Sequence, residues 1–255
     1  MTENTHVLAF DIGGSSIKTA IVDTSTGQLV SEPHSLVLPQ PPNPQNLLTT
    51  LAAEMEGIGR PMPIGVGYPG VIVEGVTLSA AHMDKSFIGY NLLDSLHRLT
   101  DQPVGLINDA DAAGLAEMAF GAGKDLNHPD AATVLMLTLG TGIGSAFFHG
   151  GKLFPNTEFG HIELEGGDAE DWAAASVRTR EKLDWPQWCE RLNRYLTEME
   201  KLVSPVRIIL GGGVSENFEL FRSYLKSRAE IRVAALGNSA GVIGAALAAR
   251  EHPAA

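Results

Sequence analysis

The sequence predicts an α/β protein of two lobes built to one design, and three observations carry that prediction. An apolar run, a glycine-rich turn and a second apolar run occur at 6–22 and again at 132–148, about 130 residues further on, the mark of an internal duplication. Apolar strands at 104–108 and 206–210 end in residues suited to meeting a ligand, Asn108-Asp109 and a glycine run at 211–213. Stretches with apolar residues three and four apart lie between the strands. On this reading residues 1–108 form a small lobe, which the last helix (239–255) joins. Residues 109–238 form a large lobe, and two matching lobes imply a central cleft.

The chain opens as a meander: strand 6–10, turn 11–16, strand 17–22, a turn at 24–27 and a third strand at 29–38. Because a strand and not a helix follows, Asp11-Ile-Gly-Gly-Ser-Ser16 is no dinucleotide fingerprint. The amides of Gly13, Gly14 and Ser15 can still cradle phosphate oxygens, with Lys18 just beyond. An ordinary glycine turn with Asp11 as its local acceptor reads equally from these residues. Residues 39–44 are too rich in proline for regular structure and form a linker. Leu47, Leu48, Leu51 and Met55 then share one helical face. Strand 64–68 ends in Pro69-Gly70, a hairpin arm covers 71–78, and 82–89 is a polar loop, either lining a site or solvated.

Asn108-Asp109 ends the next strand, before a helix at 110–120. A carboxylate there can take a proton from a sugar hydroxyl while the amide both donates to and accepts from the sugar. Either residue could instead cap the helix. In the second hairpin, Gly140-Thr-Gly-Ile-Gly144, the hydroxyl of Thr141 and the amides of Gly140 and Gly142 are the phosphate donors. Glu158 can accept from two adjacent sugar hydroxyls, and His161 can orient the sugar or the carboxylate. Asp168, Glu170 and Asp171 open a helix, where a carboxylate either faces the same site or simply complements the helix macrodipole. Leu192, Tyr195, Leu196, Met199, Leu202 and Val203 form one face of a helix at 185–204, belonging to the core or to a dimer contact. After strand 206–210, Gly212 and Gly213 lead to a helix capped by Ser215 and running through 225, a seat for the distal part of a phosphoryl donor. Asn238-Ser239 cap the last helix, whose Gly241 and Gly244 imply close packing.

Composition narrows the partners. The chain of 255 residues is 44% hydrophobic and 19% charged, as ordinary globular proteins are. A formal charge of −12 argues against a nucleic-acid surface, which would need a broad basic footprint. The lone Cys189 excludes an intrachain disulfide and suits a reducing compartment. With no secretory signal and no run long enough to span a membrane, the expected location is the cytoplasm.

Together these stretches resemble the ROK sugar kinases of the actin-like ATPase, ribonuclease-H-like fold. DIGGSSIK and LTLGTGIGSAFF look like the two phosphate loops, LINDADAAGLAE the sugar and base motif, NTEFGH a second sugar motif and LGGGVS the adenosine-side loop. AAHMDKSFIG and NTEFGHIELEGGDAEDWAAAS are similar, more narrowly, to actinobacterial polyphosphate glucokinases. The resemblance implies Asp109 as general base, Asn108, Asp109, Glu158, His161 and Glu170 on glucose, and Asp11 holding Mg2+ through water. It also implies a homodimer. Many relatives carry a cysteine-rich zinc motif after this second sugar motif; 162–171 has no cysteine, so no zinc is expected. His82 stands where close relatives generally have Asn. Expected partners are glucose and polyphosphate, or ATP, and a polyphosphate track could draw on Lys18, Lys85, Lys124, Lys152, Arg178, Arg180 and Lys182. The rival readings are an ATP-dependent hexose kinase and a non-catalytic sugar sensor, although a sensor has no need of the base.

Overall fold

A computed structural model describes residues 5–251; 1–4 and 252–255, which the expected small lobe includes, lie outside the described residues. Contacts divide the chain into two units, one running through Ala116 and resuming at Ser239, the other spanning Glu117–Asn238. The first passage between them falls inside a helix, about two turns beyond the 108/109 boundary read from the sequence.

In the first unit β1 (His6–Ile12) and β2 (Ser16–Asp23) form an antiparallel hairpin. The expected strand 29–38 is two short pieces, β3 (Gln28–Leu29) and β4 (His34–Val37), each paired to β2. Pro33 between them lacks the N–H a continuous ladder needs. Helix α1 (Pro44–Ile58) starts where Asn43 accepts from the Asn46 amide (2.8 Å) and Pro44 takes the first turn, and it ends on left-handed Gly59. Its Leu47 and Leu51 are buried. Strand β5 (Ile64–Tyr68) is followed by a small sheet of β6 (Ile72–Val73), β7 (Val76–Thr77) and β8 (Tyr90–Asn91), then α2 (Leu92–His97). Phe87, in the loop read as polar, is fully buried against Tyr68 and Tyr90. Strand β9 (Val104–Asn108) runs directly into α3 (Asp109–Phe120). Strands β1, β5 and β9 are parallel, so Asp11 lies level with Gly67 and Ile107, one residue short of Asn108.

The last helix (Ala240–Glu251) packs on this sheet with almost no side chain between. A Cβ on Gly65 or Gly105 would collide with its backbone at Ala245 or Ala249, and one on Gly244 would collide with the Ala112 carbonyl of α3.

The second unit repeats the plan. β10 (Thr133–Leu139) and β11 (Ile143–His149) form a hairpin, extended by β12 (Lys152–Phe154). A two-strand ribbon, β13 (Glu163–Leu164) and β14 (Gly167–Asp168), precedes α4 (Ala169–Ala173), α5 (Ala175–Glu181) and α6 (Trp185–Val203). Strand β15 (Arg207–Gly211) joins β10 in parallel. The helix expected through 225 is broken: a 3-10 turn over Gly213–Asn217, then α7 (Phe218–Phe221) and a second 3-10 turn. Ser215 does not cap it; its hydroxyl donates back to the Gly212 carbonyl (2.7 Å). Phe221 instead anchors the segment, stacked on Trp185 and edge-on to Trp188. Strand β16 (Glu230–Val233) closes the sheet. Leu192, Tyr195, Leu196 and Met199 of α6 are buried in the core with Leu135, Leu137 and Leu139 of β10, whereas Leu202 is exposed.

Two polar ties hold this unit's periphery. The buried Glu117 carboxylate accepts from the amides of Ala122 (2.7 Å), Ala235 (3.0 Å) and Leu236 (2.8 Å), fastening the end of α3 to the segment before the last helix. The buried Arg207 bonds Asp125, Glu230 and the Ala122 carbonyl. Its hydrogen bonds lower Asp125 to about 2 and also lower Glu230. Both folded pKa values lie below the unfolded ones, so their contribution is complete above the ordinary carboxylate range and is lost as pH falls through it towards 2. Thermal melts of wild type and Arg207→Met should therefore differ at pH 7 and converge towards pH 2; a gap constant with pH would refute the assignment.

Candidate active site

At the carboxyl end of β9, Asn108 and Asp109 divide two tasks. Asn108 is buried and caps α3: its Oδ1 accepts from the amides of Ala110 (2.9 Å) and Asp111 (3.0 Å). Its Nδ2 donates one hydrogen to the Gly70 carbonyl (3.1 Å) and carries a second that can donate. Asp109 is the first helical residue, half-buried, with Oδ1 accepting from the Ala110 amide (2.8 Å). Since Asn108 carries the cap, the helix start does not depend on Asp109.

Asp11 sits across the hairpin from Lys18, with its carboxylate against Gly241, where a Cβ would come within 2.5 Å of Oδ2. Burial raises its pKa and Lys18 lowers it, burial prevailing. In the turn itself the Gly13 amide donates to the Ser16 carbonyl (2.9 Å). That hydrogen bond engages the Gly13 amide within the turn. Gly14 packs beneath His82, whose carbonyl and Cβ would lie 2.8 and 2.9 Å from an added Cβ.

The second hairpin has internal hydrogen bonds of the same kind. The Gly140 amide donates to the Gly142 carbonyl (3.0 Å) and is spent inside the turn. The Ser176 amide and hydroxyl donate to the carbonyls of Gly140 (3.0 Å) and Thr141 (2.6 Å), fixing the turn to α5. Thr141 remains exposed. Gly142 makes room for Glu170, whose carboxylate would collide with a Cβ there. Glu170 Oε2 accepts from the Ile143 amide (3.0 Å), so this carboxylate ties the second glycine hairpin to the start of α4. Gly212 packs against Leu139 in a left-handed conformation, while nothing lies within 4 Å of a Cβ added to Gly213.

Glu158 precedes a 3-10 turn, Phe159–His161, seated by residues the sequence reading did not single out. The buried Ser145 hydroxyl donates to the Thr157 carbonyl (2.7 Å) and accepts from the Phe159 amide (3.1 Å), and Thr157 Oγ1 bonds the Ser145 carbonyl. Gly160 allows the turn to lie directly on the Ile143 carbonyl. Burial raises the Glu158 pKa, His161 lowers it and Glu170 raises it, for a net rise. His161 Nδ1 lies 2.8 Å from Asp168 Oδ2, and its Nε2 lies 3.9 Å from Glu158 Oε2. The Asp168 hydrogen bond is the largest cause raising the His161 pKa. Of the expected cations, Arg178 stacks 3.6 Å over Trp185 and Arg180 pairs with Glu181 (3.5 Å).

Two mixed sheets that each open on a glycine hairpin, with a strand delivering Asn-Asp to a helix start, define an actin-like ATPase fold with the elements of a sugar kinase. The chain belongs to the ROK family, whose model matches residues 7–181. It is 45% identical over 248 residues to the polyphosphate glucokinase of Mycobacterium tuberculosis strain CDC 1551 / Oshkosh, covering 97% of this chain and 92% of that one. The inorganic polyphosphate/ATP-glucomannokinase of Arthrobacter sp. strain KM superposes with a TM-score of 0.89 at 41% identity, covering 98% of this chain and 100% of that one. A ROK family glucokinase from Streptomyces griseus, solved with glucose and AMPPNP, shares the fold at a TM-score of 0.78 and 24% identity, over 96% and 99% of the two chains.

Proposed function

We propose that this protein is a glucokinase that transfers the terminal phosphoryl group of inorganic polyphosphate to the 6-hydroxyl of glucose. The carrying observation is the 45% identity to a polyphosphate glucokinase across nearly the whole chain, beside an Asp109 that stands at the start of α3. The 6-oxygen attacks the terminal phosphorus in line, the bridging P–O bond breaks, and the hydroxyl proton passes to Asp109. The products are glucose 6-phosphate and a chain one phosphate shorter. The transition state is loose, so the proton leaves late and positioning supplies much of the rate. Asn108, Glu158, His161 and Glu170 hold the sugar, and Gly14, Ser15 and Thr141 face the donor.

Magnesium fits this arrangement. It ordinarily binds through one or two carboxylates, water and the donor's phosphates, so it needs no protein-only cage, and none of three or more His, Cys, Asp or Glu occurs among the described residues. Asp11 would hold it through water, and the ion would neutralise charge on the transferring group. Cytoplasmic location and a homodimer belong to the same reading, supported by the lone buried cysteine and the family resemblance. Among the described residues no helix is long and apolar enough to cross a membrane.

ATP is the second donor, favoured by the polyphosphate/ATP activity in the name of the Arthrobacter protein. Gly213→Ala separates the two. The space around Gly213 accepts a methyl group in the absence of a ligand, so the variant should fold normally. KM for ATP should rise about tenfold, with KM for polyphosphate unchanged, if this loop seats the adenosine side. The decisive assay is glucose 6-phosphate formation with either donor across a salt series. Salt-sensitive turnover with polyphosphate supports the proposal; turnover with ATP alone refutes the donor.

A further inference from the structure

We infer that Asp168 is the positioning residue for His161: it accepts the Nδ1 proton and thereby turns Nε2 towards Glu158 and the sugar hydroxyl that the two residues share. This rests on the reading of 158–170 as the sugar site. Three features of the geometry support it. The Nδ1–Asp168 separation of 2.8 Å is a full hydrogen bond, and it spans seven residues, brought together by the β13–β14 ribbon. The Nε2–Glu158 separation of 3.9 Å is too long for a hydrogen bond, yet short enough for one hydroxyl oxygen to bond both groups. Finally, Asp168 stands at the N-cap position of α4 without making a capping bond, so its carboxylate serves His161 and not the helix.

A ring nitrogen that donates to a carboxylate fixes the tautomer and leaves the other nitrogen with a defined role. When His161 is charged, Nε2–H donates to the hydroxyl oxygen and Glu158 accepts from the hydroxyl, so both groups hold it; while His161 is neutral, Nε2 and Glu158 are both acceptors and only one of them takes the single hydroxyl proton. The groups facing the ring are Asp168 on β14, Glu158 ahead of the 3-10 turn and Glu170 on α4, all carboxylates. The surrounding charge therefore favours imidazolium, in agreement with the raised pKa. The pair is half-exposed, at 51% and 49%, and solvent weakens its effect on stability. Its value lies in orientation.

The test compares Asp168→Ala, which removes the acceptor, with Asp168→Asn, which keeps a neutral one. In the wild-type protein long-range 15N–1H spectra should show neutral His161 protonated at Nδ1, with the resonance assigned through His161→Gln. Asp168→Ala should shift the tautomer towards Nε2–H, lower the titration midpoint and raise KM for glucose about tenfold, with kcat within about twofold. Asp168→Asn should restore the tautomer and most of KM while the midpoint stays low. An unchanged tautomer, or an unchanged KM, in Asp168→Ala overturns the inference. A wild-type protein that shows the Nδ1 tautomer but neither binds nor phosphorylates glucose would refute the sugar-site reading itself and the positioning role with it, and the spectra alone would distinguish that failure from absence of the hydrogen bond.

Discussion

Asp109→Asn should lower kcat for glucose phosphorylation by about 100- to 10,000-fold, the usual contribution of a positioned general base. Glucose affinity, measured by calorimetry, should stay within about threefold, because the amide keeps the shape and the hydrogen-bonding reach of the carboxylate. The structure makes this variant informative. The capping bonds to Ala110 and Asp111 come from Asn108, so α3 keeps its first turn and the melting temperature should scarcely move. Asn108→Ala should behave in the opposite way, losing the cap and about 1 kcal/mol of stability as well as affinity for the sugar. Turnover within a few-fold of wild type in Asp109→Asn would remove the base from its assigned role.

Glu117→Ala should be the most destabilising single change among the polar residues described above. It strips the acceptor from three amides, those of Ala122, Ala235 and Leu236, of which Ala235 is exposed and the other two half-buried. Water reaches these amides in part, so the loss is about 1–3 kcal/mol, the range for a buried polar group left unsatisfied. For a chain of this size that corresponds to a fall of roughly 2–12 °C in melting temperature. Gly121 belongs to the same device: a Cβ there would collide with the Glu117 carboxylate, so Gly121→Ala should destabilise in the same direction. Glu117→Gln keeps one acceptor oxygen and should fall between wild type and alanine. A melt of Glu117→Ala indistinguishable from wild type would show that the three amides find other partners.

Local patterns made much of the fold legible. Alternating and continuous apolar runs around glycine turns placed both hairpins, and the strand at 64–68 was readable as a short apolar run closed by Pro69-Gly70. What the sequence concealed depends on contacts distant in the chain. Strand β16 is half-polar and becomes a strand by pairing with β15; its Glu230 is fixed by Arg207. The segment after Gly213 has helical spacing but is folded around Phe221 and two tryptophans, and tertiary packing overrode propensity there.

The candidate site divides along the same line. Residue types pointed to Asp11, Asn108, Asp109, Glu158, His161 and Glu170, since each chemistry has few side chains to choose from. The spending of hydrogen bonds was invisible. Nothing in the string Gly-Thr-Gly says that the first amide is consumed by the third residue's carbonyl, or that the third residue is glycine to admit a carboxylate from 28 positions later in the chain. The Ser145–Thr157 pair was missed, and Asp168 was read only as one of three carboxylates opening a helix, for the same reason: each acts through a partner that only folding supplies.

The glycine-lined seat of the last helix bears on the order in which the molecule can be made. The first unit is discontinuous in sequence, and its sheet is finished only when residues beyond 239 arrive to cover Gly65 and Gly105. The second unit has all its strands by Val233 and can close its core on the ribosome while the first, though synthesised earlier, still waits for its last piece. A chain released after truncation at 238 should therefore protect the second unit from protease and leave the first exposed, an inversion of the usual amino-to-carboxyl sequence of folding.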